Sequence, residues 1–327
     1  MKAVLCKSFG PPDSLVVEDV PSPSVGPGEV RVAVHACGVN FPDTLIIQNE
    51  YQFKPPLPFT PGGEVAGEVV EVGAEVTRVK RGDRVIAMVG WGGFAEEIVV
   101  TPDRTMPIPK GMDFVTAAGF TMTYGTSYYA LKQRALLRPA ETLLVLGAAG
   151  GVGLAAVELG RVMGARVIAA AGTDEKLEIC KQYGADATIN YTTESLKDQV
   201  KALTDGRGAD VIYDPVGGDV FDQAIRCINW NGRLLVIGFA SGRIPELPVN
   251  LALLKGCAVV GVFWGAFTAR EPAENAENLA ELGRWYEART IKPHVCKTFS
   301  LERVGDALTA IERREALGKI VLVTGRS

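Results

Sequence analysis

One segment constrains the fold more than any other. The apolar run 142–146 reads as a buried strand and passes at once into Gly147-Ala148-Ala149-Gly150-Gly151-Val152-Gly153. A helical pattern follows over 152–163 and stops at Gly164, as a helix closed by glycine does. Strand, small-residue turn and helix in that order bring backbone N–H groups and the positive end of a helix dipole to one point, with no side chains in the way. That geometry suits a pyrophosphate. The turn is not a strict G-x-G-x-x-G, because Ala148 stands at the first glycine position. Taken alone, it is equally a device for packing a helix on a strand.

The surroundings favour the dinucleotide reading. From about residue 125 to 265, strands are predicted at 166–171, 187–189, 210–213, 233–237 and 258–263, with helices at 174–183, 194–203 and 220–228. Strands alternating with helices of about ten residues argue for a parallel sheet covered on both faces, and crossover handedness makes it doubly wound. The glycine turn comes after the first strand of that series, where a dinucleotide fingerprint belongs.

The end of the second strand speaks to the choice of cofactor. A site for NAD usually places Asp or Glu there to hold the ribose hydroxyls. This chain has Ala171-Gly172-Thr173, with Lys176 one helical turn later. Space at Gly172 and a cation at Lys176 fit a 2′-phosphate, hence NADPH. Asp174 and Glu175 lie close by; either could swing in, or both could serve as first-turn carboxylates favoured by the dipole. Lys176 by itself also reads as a solvated surface lysine.

Residues 1 to about 120 have a different texture, rich in glycine, proline and short β-branched runs, with strands predicted at 30–36, 64–72 and 84–89. The tail shows helical patterns over 271–288 and 301–314 and a strand over 320–323. The division expected is 1–122 for a β-rich domain, 123–266 for the parallel-sheet domain, and 267–327 for a segment returning to the first. Composition narrows the function further. With 34 Lys and Arg against 38 Asp and Glu, the net charge is −4, which disfavours a nucleic-acid footprint. Two histidines, His35 and His294, disfavour a His-rich metal site, and no Gly-x-Ser-x-Gly supports a hydrolase. The six cysteines are scattered, with no Cys-x-x-Cys, and read as reduced thiols. No stretch supplies the roughly 20 apolar residues of a membrane span, and no leader pattern opens the chain, so a cytoplasmic protein is expected.

These residues carry a family resemblance. The motifs are His35-Ala36-Cys37-Gly38-Val39-Asn40 with Asp43 and Tyr51, Pro61-Gly62-Gly63-Glu64-Val65-Ala66-Gly67, Gly82-Asp83-Arg84-Val85, Ala148 to Gly153, Gly172 with Lys176, Gly238-Phe239-Ala240-Ser241-Gly242, Trp264-Gly265 and Gly318-Lys319. Together they resemble the medium-chain dehydrogenase/reductases, and within them the quinone oxidoreductases related to zeta-crystallin, over essentially the whole chain. The resemblance implies an α/β protein: a GroES-like β-rich catalytic domain plus a Rossmann doubly wound parallel-sheet domain, a cleft between them, and a homodimer joined at the edge strand 258–263. It implies that Ala149, Gly150, Gly151, Val152 and Gly153 hold the pyrophosphate. Gly172, Lys176 and Tyr191 would surround the 2′-phosphate. Ile237, Gly238, Phe239, Ala240, Phe263, Trp264 and Gly265 would line the nicotinamide and its ribose.

Zinc alcohol dehydrogenases of this superfamily carry Cys where this chain has Asn40, His where it has Gly63, and a third ligand near Ala118. A catalytic zinc needs three protein ligands and an open position, so no metal is expected and the acceptor should be one that needs no Lewis acid. The catalytic candidates are Asn40, Tyr51 and Tyr124. Asn40 could hold a carbonyl or the nicotinamide, or be a turn-forming residue at a strand end. Tyr51 could be a proton donor or a half-buried tyrosine. Asp43 reads as structural. Tyr124 and Thr126 could face the nicotinamide or pack in the core. The chain departs from the family pattern at Leu45, where the pocket becomes more apolar, and at Gln48-Asn49-Glu50. The reading is NADPH-dependent hydride transfer to a quinone. The alternatives are reduction of an activated C=C (an enone, a 2-haloacrylate or an enoyl-CoA) and a non-catalytic NADPH- or RNA-binding role.

Overall fold

The computed structural model describes residues 1–326. It comprises two compact units, one of residues 1–121 together with the chain from Pro293 onward, the other of residues 122–292. The return to the first unit therefore begins at Pro293 and not at 267. The cause lies in the helix Pro272–Glu287, which buries Asn278, Leu279 and Leu282 within the second unit. There Tyr128 donates to Glu281 at 2.6 Å and the Gln133 amide donates to Asn278 at 2.9 Å.

The second unit is a six-stranded sheet, all parallel. Its strands run in the order Ala187–Asn190, Arg166–Ala171, Thr142–Leu146, Ala209–Asp214, Ile228–Val236, Ala258–Gly261. The chain starts in the middle, winds outward to one edge, returns, and winds to the other. Every residue of Thr142–Leu146 is buried, as the uninterrupted apolar run requires of a strand covered on both faces. Strand order reverses between Thr142–Leu146 and Ala209–Asp214, and the glycine turn leaves the sheet at that point. Open α/β sheets have their ligand crevice there.

The first unit is built on a seven-stranded sheet centred on Val30–Val39. That strand pairs antiparallel with Glu64–Val72, and on its other side with the late strand Lys319–Val323. Two registers bring Asn40, Glu64 and Lys319 to neighbouring positions: Gly38 lies opposite Glu64, and Val39 lies opposite Ile320. A short helix, Phe41–Ile47, starts directly after Asn40. Among the described residues, no helix is long and apolar enough to cross a membrane.

Candidate functional site

In the second unit, the glycine turn forms a backbone cradle. The carbonyl of Gly147 accepts from Gly150 N–H at 3.0 Å, and Ala148 N–H donates to Ala170 on the neighbouring strand at 3.1 Å. The helix Gly151–Val162 begins immediately afterwards, and the N–H groups of its first turn have no acceptor within the helix. Gly153 is obligatory. A Cβ there would stand 2.3 Å from the Gly147 oxygen and 2.9 Å from Ala148 Cα. Ala149, Gly150, Gly151, Val152 and Gly153 thus offer polar backbone and almost no side chain, the fit a pyrophosphate needs.

Asp214 is a residue that sequence reasoning missed. It ends the strand next to the glycine turn, and its Oδ1 accepts from Val216 N–H at 2.8 Å and Gly217 N–H at 2.9 Å. Burial pushes its carboxyl up to about 6, against the pull of those two donors. The turn it organises receives the segment 237–241: Ile237 N–H donates to Asp214 O at 2.9 Å, Ala240 to Pro215 at 3.0 Å and Ser241 to Val216 at 2.9 Å. Asp214 thereby positions Ile237, Gly238, Phe239 and Ala240. Its signal was Asp-Pro-Val-Gly-Gly directly after an apolar strand.

At the end of the second strand, Tyr191 N–H donates to Ala171 O at 3.1 Å, and the Thr192 hydroxyl donates to Gly172 O at 2.9 Å. A Cβ on Gly172 would lie 3.6 Å from the Tyr191 ring. The Thr173 hydroxyl caps the following helix by accepting from Lys176 N–H at 3.3 Å. Gly172, Lys176 and Tyr191 are each partly exposed around this turn. The Asp174 carboxylate is engaged by the Asn190 amide at 2.8 Å.

Further along, Phe263 and Gly265 are exposed, while Trp264 is buried and donates from its indole to Asn275 at 3.1 Å. The Trp264 ring therefore packs inside its unit. Thr126 is partly exposed on the helix Thr121–Tyr129. Tyr124, on the same helix, is buried, and its hydroxyl donates to Glu158 at 2.6 Å. The other oxygen of Glu158 accepts from Lys292 N–H at 2.8 Å. Burial, and then the charge of Glu158, pushes the Tyr124 hydroxyl well above its ordinary range. The Tyr124 hydroxyl thus ties its helix to Glu158 within the second unit.

In the first unit the two registers gather Asn40, Glu64 and Lys319 into a buried cluster. The Lys319 ammonium donates to the Asn40 carbonyl oxygen, and to Glu64 Oε2 at 3.0 Å. The Asn40 amide donates to Gly38 O at 3.2 Å and to Glu64 at 3.4 Å. Only glycine fits at 38, where a Cβ would stand 2.1 Å from the Ala118 oxygen and 2.7 Å from Glu64 Oε2. Asp43 holds the start of the short helix by accepting from Asn40 N–H at 2.7 Å. Burial pushes its carboxyl up to about 7, although the Asn40 N–H and the Lys319 charge oppose the rise. Tyr51 is half-buried against the same core, its ring 5.7 Å from Phe53. Burial, with Asp43 nearby, raises its hydroxyl, which leaves it a donor and not a base.

Comparison with known proteins identifies the arrangement. Residues 26–110 match the alcohol dehydrogenase GroES-like domain, and residues 151–281 match a domain described as zinc-binding dehydrogenase. A quinone oxidoreductase-like protein 2 homolog of Nematostella vectensis is 46% identical over 99% of this chain and 89% of its own length. A quinone oxidoreductase of Pseudomonas aeruginosa is 36% identical over 98% of this chain and 99% of its own length. The chain belongs to the medium-chain dehydrogenase/reductases, on their quinone oxidoreductase branch. The crystal structure of Escherichia coli quinone oxidoreductase complexed with NADPH superposes with a TM-score of 0.93 at 28% identity, covering 99% of this chain and all of that one (100%).

For a medium-chain dehydrogenase/reductase, the residues at the metal position of zinc relatives do not fit zinc. Among the described residues, no group of three His, Cys, Asp or Glu side chains is placed to hold a metal ion. The donors that Asn40 and Glu64 would offer already face the Lys319 ammonium. A second cation there would meet the first.

Proposed function

We propose that this medium-chain dehydrogenase/reductase is a zinc-independent, NADPH-dependent quinone reductase. The observation that carries the reading is the end of the second Rossmann strand, where Gly172 and Lys176 stand and the nearest acid, Asp174, is engaged by Asn190. Such a site is built for a phosphate rather than for a ribose diol. The quinone oxidoreductases among the relatives, one of them in complex with NADPH, support the same cofactor and acceptor.

When bound, NADPH supplies a hydride. The chain's own residues bind and orient it. Ala149, Gly150, Gly151, Val152 and Gly153 hold the pyrophosphate on backbone N–H groups and a helix N-terminus. Gly172 gives the 2′-phosphate room, and Lys176 and Tyr191 meet it. Ile237, Gly238, Phe239 and Ala240, held by Asp214, shape the nicotinamide end together with Phe263, Gly265 and Thr126. Trp264 supports that end from behind through Asn275. Asn40, locked by Lys319, keeps one lone pair of its carbonyl oxygen to orient a donor on the cofactor. Quinone reduction ends on phenolate oxygens, which water protonates. Tyr51 therefore suffices as a hydroxyl that orients the acceptor, and no buried acid is required.

The protein is proposed to act in the cytoplasm as a homodimer. The edge strand Ala258–Gly261 and the helix Val249–Lys255 support the dimer, since that helix exposes Val249, Leu253 and Leu254, with Leu253 80% exposed. An apolar surface beside an unpaired strand edge calls for a partner. The deciding experiment is oxidation of NADPH and NADH by the metal-chelated protein, with ortho- and para-quinones offered beside crotonyl-CoA, 2-chloroacrylate and simple enones. Turnover of quinones, with NADPH preferred, is expected. Fast turnover of the C=C acceptors with weak quinone activity would overturn the acceptor assignment, and loss of activity on chelation would overturn zinc independence.

A further inference from the structure

Asp174 is the first residue of the helix Asp174–Gln182 and lies two positions beyond Gly172. From that place a carboxylate can reach a ribose diol, and its charge would repel a phosphate on the same ribose. The structure shows what restrains it. Asn190 is the last residue of the neighbouring strand Ala187–Asn190, opposite Ala171 in register, and it is buried. Both ends of its carboxamide are used. The amide donates to Asp174 Oδ1 at 2.8 Å, and the carbonyl oxygen accepts from Thr192 N–H at 3.1 Å. Its backbone N–H donates to Glu194 Oε2 at 3.2 Å. A carboxamide engaged at both ends in a buried setting has one orientation, so it acts as a fixed clamp on the acid.

We infer that Asn190 is a specificity-determining residue: by clamping Asp174 against the strand Ala187–Asn190, it keeps the acid nearest Gly172 away from the ribose, and so maintains selection of the 2′-phosphorylated cofactor. The inference rests on the NADPH reading of the same turn. Asn190 is a positioning residue here and touches no reacting atom.

The test is equilibrium binding of NADPH and NADH, followed by cofactor fluorescence, to wild type, Asn190→Ala, Asn190→Ala/Asp174→Asn and Lys176→Ala. The readout is the ratio of the two dissociation constants. Releasing one carboxylate beside a phosphate should lower the preference for NADPH about tenfold in Asn190→Ala, equivalent to about 1.4 kcal/mol. The double variant, which has no acid to release, should regain the wild-type ratio. Asn190→Asp serves as a second single variant if the alanine protein does not fold, because it keeps the side-chain volume and the acceptor for Thr192 while repelling Asp174. It should shift the ratio in the same direction. Equal weakening of both cofactors in the single variants, or a double variant as unselective as Asn190→Ala, would overturn the inference and reduce Asn190 to a loop support. Failure of the underlying reading looks different: wild type would show no preference for NADPH, or Lys176→Ala would leave the ratio unchanged.

Discussion

Replacing Lys319 by methionine tests whether the buried cluster holds the first unit together. The Lys319 and Glu64 side chains are 5% and 0% exposed and 3.0 Å apart. At an effective dielectric of about 20, two charges at that distance attract by about 5 kcal/mol, most of which offsets the cost of taking both from water. Methionine fills the volume of lysine but leaves Glu64 and Asp43 as buried acids with no cation beside them. Breaking a buried pair on one side costs about 3–5 kcal/mol, and that is the loss expected. Amide hydrogen exchange across 36–39 and 320–323 reads the first unit by itself, which a single melting curve of a two-unit chain does not. Exchange there should accelerate by the factor equivalent to that loss. In Lys319→Met/Glu64→Leu both charges are gone, and the cost should fall to about 1–3 kcal/mol, the residue of an Asn40 oxygen left without its donor. A single variant within about 1 kcal/mol of wild type, or a double variant no better than the single, would refute the assignment of the ion pair as the organising interaction.

The geometry sets three further outcomes. Because burial raises the Asp43 carboxyl to about 7, the folded state holds that proton more tightly than the unfolded chain. First-unit stability should therefore fall as pH rises from about 4 to about 7, by up to about 1.4 kcal/mol per pH unit. Asp43→Asn keeps an acceptor for Asn40 N–H and should flatten that slope when protection of the amides of 36–39 and 320–323, corrected for intrinsic exchange, is compared at pH 5, 6 and 7; an unchanged slope would place the titration elsewhere. Gly153→Ala would drive a methyl group to 2.3 Å from the Gly147 oxygen, so NADPH affinity measured by titration should fall at least about tenfold, and wild-type affinity would remove the turn from the cofactor site. Tyr124→Phe deprives Glu158 of its 2.6 Å donor and should cost about 1–3 kcal/mol in thermal unfolding while leaving kcat intact. A collapse of kcat without loss of stability would restore Tyr124 as a catalytic residue.

What could be read from the sequence was whatever is local. The strand 142–146, its glycine turn and the helix after it are neighbours in the chain, and alternation of periodicity revealed the parallel sheet because each strand is buried along its own length. The turn at Gly172 and Lys176 was legible for the same reason. The cluster of Asn40, Glu64 and Lys319 was not, since its members meet only through the registers of a sheet that joins the early and late parts of the chain. The motifs place Trp264 at the nicotinamide and leave Tyr124 either facing it or packing in the core; the polar atoms of both point to Asn275 and Glu158 within the second unit. Nothing in a motif says which way an aromatic side chain turns. The helix Pro272–Glu287 looked like part of the returning tail because its apolar stripe does not say which core it covers.

The place of the strand Lys319–Val323 has a consequence for how the chain is made. It pairs with Val30–Val39 on one side and with Val295–Ser300 on the other, so the first unit lacks an interior strand until residue 323 has left the ribosome. The second unit is continuous, from 122 to 292, and can close while its partner is still incomplete. Synthesis thus orders assembly, with the half that carries the glycine turn ready first. The N-terminal strands meanwhile wait with an open hydrogen-bonding edge, the stage at which a growing chain is most in need of a chaperone.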